Sequence, residues 1–207
     1  MDTTYFWRKY GIMVFRDWKM KENLLRKEVK WETKGDYVLW IKELQSKWRE
    51  IEAIVCDGKR WLLVWFPGIP TQMCIFHQQQ IIRRYITRSP KLEANIEFKE
   101  LSSMIGKARK ETMKIWLEDR YRKHEKFLKE RNDKWKIVHT RTMKAYKSVK
   151  RNLEYLYTYE EYKGKIEIPK TTNSLESVFW HMKQKIWIHR GLKKRRKLRL
   201  IDDFLQK

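Results

Sequence analysis

Residues 51–77 read IEAIVCDGKRWLLVWFPGIPTQMCIFH, and this stretch decides the fold. Ile51–Asp57 is a short apolar run closing on Asp57-Gly58, the pattern of a buried strand that ends in a turn. Residues 60–66 are short and ambiguous, Arg60 followed by six apolar residues, and Pro67-Gly68 stops them. Residues 73–76 read as a second short strand, and 78–87 as a helix that ends before Ser89-Pro90. Two short apolar strands separated by a compact connector, the second followed by a helix, indicate a sheet that is covered by helices.

Upstream, residues 2–8 and 11–18 are rich in aromatic and β-branched residues and predict two strands around a turn at Tyr10-Gly11. A third strand is predicted over 24–31. Tyr37, Trp40, Ile41, Leu44 and Trp48 then recur at helical spacing, with Asp36 after Gly35 as the expected N-cap. Hairpin, strand, helix, strand, connector, strand, helix is the order of a ribonuclease-H-like α/β domain with a mixed five-stranded sheet. Residues 91–163 differ. Charges are dense, and Met113, Trp116, Leu117, Tyr121, His124 and Leu128, then Met143, Tyr146, Val149, Leu153 and Leu156, fall at helical spacing. The expected organisation is a first catalytic segment over 1–90, an all-helical insertion of three or four helices over 91–163, and a final helix with a basic C-terminus over 164–207.

The chain has 207 residues and a net charge of +23, a field that favours polyanions, nucleic acid first among them. Eleven Trp, ten Tyr and eight Phe argue for a folded interior rather than a basic tail. Two cysteines, Cys56 and Cys74, are too few for a disulfide framework, which points to a reducing compartment. No apolar run approaches the ~18 residues of a membrane span, and MDTTYFWRKY lacks the core of a signal peptide. A soluble, cytoplasmic and nucleoid-associated protein is expected. No P-loop, dinucleotide fingerprint or nucleophile elbow is present, which removes support from those enzyme classes.

Asp2 opens the first strand. Asp57 ends a strand in which Ile51, Ala53, Val55 and Asp57 share one face. Carboxylates that share a site repel unless a cation bridges them, and Mg²⁺ suits a site that also takes phosphate oxygens. Each also has a plain structural reading: Asp2 as a terminal surface residue, Asp57-Gly58 as a turn pair. Glu176 follows Asn173 by three residues, close to a capping box, and so has a helix-capping reading. It lies beside the apolar face of Leu175, Val178, Phe179, Met182 and Ile186, with Trp180 and Lys183, and can project over the sheet edge. Cys74-x-x-His77 is half of a zinc pattern, but no second Cys/His pair follows at usable spacing.

MDTTYFWRKYGIMVFRD, EAIVCDGKRWLLVWFPGIPTQMCIFH and TTNSLESVFWHMKQKIWIHRG together resemble three segments of bacterial Mutator-type insertion-sequence transposases. The resemblance implies an Asp-Asp-Glu triad, placed on Asp2, Asp57 and Glu176, holding Mg²⁺ or Mn²⁺, two ions in all. Cys74 and His77 would support the site or touch DNA. It implies metal-dependent cleavage at transposon ends and strand transfer to target DNA, by a homodimer or higher assembly. Full-length relatives carry an upstream DNA-recognition domain, so the chain is expected to be an N-terminally truncated core. The alternatives are a non-catalytic basic relic of the fold and another ribonuclease-H-like nuclease.

From His181 to Arg199 there is no acidic residue, and Lys183, Lys185, Arg190, Lys193, Lys194, Arg195, Arg196 and Lys197 are the expected phosphate contacts. The alternative for this run is a solvated helix end, where cations are favoured anyway. Trp180 and Trp187 are suited to stacking on an unpaired base, although core packing is the commoner fate of such residues.

Overall fold

The computed structural model describes residues 1–7, 10–47 and 50–206. Arg8, the last residue of the first expected strand, and Trp48, the last of the expected helical set, lie outside the described residues. Strands β1 (Asp2–Trp7), β2 (Tyr10–Arg16) and β3 (Asn23–Val29) form an antiparallel sheet in that order. Helix α1 (Lys34–Ser46) follows, then β4 (Ile54–Cys56), the short helix α2 (Arg60–Val64), and β5 (Thr71–Met73), which pairs parallel to β4. Helix α3 (Ile75–Ile86) leads into α4 (Glu93–Met104), α5 (Lys110–Lys123), α6 (Glu125–Lys129), α7 (Thr140–Leu156) and α8 (Thr158–Glu161). Helices α9 (Asn173–Ile188) and α10 (Lys194–Leu205) close the order.

The expected α/β class holds, but the single five-stranded sheet does not form as a hydrogen-bonded unit. Among the described residues the strands make two ladders, one of three antiparallel strands and one of two parallel strands. A bond from the Met1 amino group to the Val55 carbonyl, 2.8 Å long, links β1 to β4. The physical reason is length. β4 has three residues and β1 begins at Asp2, so little backbone overlaps at that edge.

β2 is the central strand of its sheet and is apolar on both faces. Met13 and Phe15 face α1, where Phe15 meets Tyr37 and Trp40 edge-on or tilted. Tyr10, Ile12 and Val14 face the other way, onto Leu175, Phe179 and Met182 of α9 and Ile201 and Leu205 of α10. The period-two alternation of one strand thus fixes which helix covers which face.

The segment expected to be helical is helical, in five pieces rather than three or four. Its only other feature among the described residues is an isolated bridge between Arg131 and Ile137. It is not a separate lobe. The fully buried Gln78 of α3 donates to the Ser148 hydroxyl (3.0 Å) and accepts from Asn152 (2.9 Å), both on α7. Gln72 of β5 donates to the Leu156 carbonyl (3.0 Å) and accepts from the Tyr159 N–H (3.0 Å). Buried amides that find partners this way specify one docking of α7 on the β5–α3 unit.

Three expected details are corrected. Tyr10-Gly11 is not a turn, because both residues lie in β2 and pair with Trp7 and Tyr5 of β1. Asp36 is not the N-cap of α1. Thr33 is, with Asp36 as its reciprocal partner in a capping box, since Lys34 and Gly35 are already helical. The run at 73–76 is not a strand, because β5 ends at Met73 and Cys74 is the cap residue of α3.

Candidate functional site

β1, α3 and α9 bring their starts together. Asp2, Thr4 and Phe6 lie on the α9 side of β1, while Thr3 on the other side meets the Tyr37 hydroxyl (3.2 Å). The parity of the strand therefore aims Asp2 at the start of α9. Cys74 and His77 lie three apart at the start of α3. The Cys74 N–H donates to the Cys56 carbonyl (2.8 Å), continuing the β4–β5 ladder into the helix. Ile75 N–H donates to the Lys170 carbonyl (3.0 Å), which ties the approach to α9 against the same helix end.

The imidazole of His77 stands between two carboxylates. Its Nε2 lies 4.0 Å from Asp2 Oδ2, and its Nδ1 lies 3.7 Å from Glu176 Oε1. Nδ1 is buried and has no hydrogen-bond partner. Burial opposes protonation, but Cys74, Asp2 and Glu176 outweigh it and raise the His77 pKa to about 9. Protonated, the ring would stand as a cation between Asp2 and Glu176.

Thr172, the N-cap residue of α9, is buried and joins the two remaining groups. Its N–H donates to Cys74 Sγ (3.3 Å), and its hydroxyl lies 3.3 Å from the same sulfur and 3.2 Å from Glu176 Oε1. One hydroxyl proton serves one of these at a time. Burial alone would raise the Cys74 thiol. The nearby His77 and the Thr172 donors outweigh it and the net shift is downward, toward the thiolate. Burial raises the Glu176 pKa, with the His77 charge acting against it. The capping-box reading of Glu176 is not realised. Its carboxylate takes the Thr172 hydroxyl, because Thr172 rather than Asn173 caps α9 and so places Glu176 one residue too far along.

Asp57 sits just past β4 and is held by its own loop. It accepts from the Lys59 N–H (3.2 Å), and Lys59 Nζ lies 3.5 Å from its other oxygen. The same Nζ pairs closely with Glu32. Burial raises the Asp57 pKa; Asp2 adds to the rise, and His77 opposes it. Gly58 carries no positive φ and is needed for space instead: a Cβ there would come 2.3 Å from Met73 Cε.

Among the described residues two groups could hold a metal ion: Cys74, His77 and Glu176, and separately Glu93, Glu97 and His124. In the first, the ligand atoms lie within 4.8 Å of one another. The second is already neutralised, because Lys123 pairs with both glutamates and His124 Nε2 lies 3.1 Å from Glu97. Of the expected triad, Asp2 and Glu176 are brought together around His77. Asp57 stands close enough for Asp2 and His77 to act on its pKa, but has its own lysine partner, and the three carboxylates are not one of the two groups that could hold a metal ion among the described residues.

Sequence reasoning missed Thr172, Lys59 and Glu32. Lys59 follows Asp57-Gly58 directly and could have been read as a local counter-ion. Thr172 lies in the quoted TTNSLES, next to Asn173. Glu32 had no signal, since only the fold carries the end of β3 to the Asp57 loop.

The basic residues expected to touch DNA lie on an open surface. Lys183, Lys185, Arg190, Lys193, Lys194, Arg195 and Arg196 are exposed, and Trp180 and Trp187 of α9 are 58% and 66% exposed, so they are not core residues. Lys197 instead donates to the Arg190 carbonyl (2.7 Å), tying α10 to the end of the preceding helix. No helix among the described residues is long and apolar enough to cross a membrane. Comparison with protein-family models, with characterised proteins and with solved structures returns no match.

Proposed function

We propose that the chain is the catalytic core of a DDE transposase, a metal-dependent polynucleotidyl transferase that cuts and joins DNA at transposon ends. The observation that carries this reading is the convergence of Asp2 and Glu176, from opposite ends of the chain, on one histidine at 4.0 and 3.7 Å respectively. The backbone supports it too. The single Met1–Val55 bond, between the start of β1 and β4, supports a reading in which the two separate ladders meet at that edge as in a ribonuclease-H-like sheet.

Asp2, Asp57 and Glu176 supply hard oxygen donors of the kind Mg²⁺ or Mn²⁺ takes. Burial raises the pKa of both Asp57 and Glu176, and the charge of Asp2 adds to each rise, so a cation bound here would offset the like charge. These three residues would hold the ions, which when bound stabilise the attacking and leaving oxygens of an in-line displacement. The chain's own groups do the rest. His77 keeps Asp2 and Glu176 from repelling each other. Lys59 holds Asp57 at the end of β4. On α9 the stripe Glu176, Trp180, Lys183, Trp187 runs from the site to the exposed basic end, a track for phosphates with two faces for bases to stack on. DNA is the proposed partner, with assembly into a homodimer or larger complex on the transposon ends.

The test is nicking of supercoiled DNA, and joining of a pre-cut 3′-hydroxyl end, in Mg²⁺ or Mn²⁺. Asp57→Asn and Glu176→Gln should abolish both while leaving the fold and DNA binding intact. Cleavage that survives in both folded variants would refute the proposal.

A second reading, a non-catalytic nucleic-acid-binding relic, is favoured by one observation: Lys59 and His77 already neutralise the carboxylates that metal would need. On that reading DNA binds and no nicking occurs with any divalent ion.

A further inference from the structure

We infer that Cys74, His77 and Glu176 form a binding site for a single zinc-class transition-metal ion, distinct in chemistry from the magnesium role of the carboxylates. A Cys-x-x-His pair offers two ligands. The fold delivers the third from α9, about a hundred residues away, which spacing along the chain cannot reveal.

The donor set is one sulfur, one imidazole nitrogen and one carboxylate oxygen. Thiolate is a poor ligand for magnesium and a good one for zinc, and three protein ligands leave a fourth position open. Tetrahedral coordination with ordinary bond lengths sets neighbouring ligand atoms about 3.3–3.6 Å apart. Nδ1 and Oε1 are 3.7 Å apart, so this pair would close by only a few tenths of an ångström.

The orientation of the histidine argues for the same side. Nδ1 is buried, lacks a hydrogen-bond partner and faces Glu176. Nε2 faces Asp2 at 4.0 Å, so that carboxylate stands behind the ring where a metal-bound histidine commonly finds one. Thr172 completes the second layer. Its N–H and hydroxyl reach the sulfur, and the hydroxyl also reaches Glu176. Outer partners of this kind fix ligand orientation and contribute on the order of 10–100-fold to metal affinity. The inference does not rest on the transposase reading. The two share Glu176, so a zinc-class ion would compete with magnesium for that residue.

The test uses the full chain stripped with chelator, then titrated with Co²⁺ as a spectroscopic stand-in for Zn²⁺. One equivalent of cobalt should produce a thiolate-to-metal charge-transfer band, displaced by Zn²⁺ and unmoved by excess Mg²⁺. Cys74→Ser should remove the band, and Cys56→Ala, at the other cysteine, should keep it. Thr172→Val should weaken binding by about 10–100-fold. Circular dichroism of each variant without metal separates lost ligands from lost folding. If Cys74→Ser does not fold, His77→Gln and Glu176→Gln carry the test through lower cobalt affinity. No band in folded wild-type protein, a band that persists in folded Cys74→Ser, or cobalt held without thiolate character would each overturn the inference. None of these readouts involves DNA or cleavage, so failure here is separable from failure of the transposase proposal.

Discussion

Replacing His77 with glutamine should remove a pH-dependent part of the stability that the carboxylate pair depends on. In the folded chain the imidazole pKa is raised from 6.5 to about 9. At ~1.36 kcal/mol per pH unit that difference corresponds to about 3.4 kcal/mol. The ring keeps 24% of its surface in solvent, and screening there reduces the figure to about 2 kcal/mol. Because folding raises this pKa, the contribution is fully present below pH ~6.5 and is lost as pH climbs through 9. Urea unfolding of wild-type and His77→Gln chains, with chelator present throughout, reads it directly. The difference in unfolding free energy should be about 2 kcal/mol near pH 6.5 and should shrink toward zero by about pH 10. A difference that stays constant across that range would mean that His77 contributes packing only, and the electrostatic account of the site would fall.

Asn152→Leu should cost about 1–3 kcal/mol in the same assay, because it strips Gln78 of its donor inside a closed core, and a change below ~0.5 kcal/mol would show the network to be idle. Gly58→Ala should cost on the order of 1 kcal/mol by pressing on Met73, with the Asp57 loop more open to proteolysis; an unchanged melting temperature would refute the close approach. Neutralising Lys193, Lys194, Arg195 and Arg196 to glutamine should lower the slope of log affinity for duplex DNA against log salt by about 3–4, at ~0.9 per phosphate contact. An unchanged slope would mean that this run is only a solvated helix end.

Much of the fold was legible because it rests on local patterns. The hairpin of β1 and β2, the third strand, the helical spacing of α1 and the charged helices after Pro90 all follow periodicities that burial imposes. The failures are local competitions. Thr33 and Asp36 are both good caps, and Gly35 drew attention to the wrong one. MCIF is apolar throughout, so periodicity could not divide strand end from helix start; Cys74 does that, as the last ladder donor and the cap of α3. At the site, the residue types were legible and their grouping was not. Asp2, His77 and Glu176 meet because β1 parity and the cap at Thr172 aim them at one point. Asp57 looked like an equal member of the triad, yet its own Lys59 neutralises it, and the Glu32 that shares this lysine carried no mark in the sequence.

The central claim is that Asp2, Asp57 and Glu176 jointly hold divalent metal, and manganese binding followed by electron paramagnetic resonance tests it most directly. The measurement belongs in a Cys74→Ser background, where the zinc-class site is disabled. The account predicts that Mn²⁺ binds this chain, that Mg²⁺ competes for it, and that Asp2→Asn, Asp57→Asn and Glu176→Gln each release it without unfolding the protein. Manganese that fails to bind, or that binds equally well after all three substitutions, would contradict the claim.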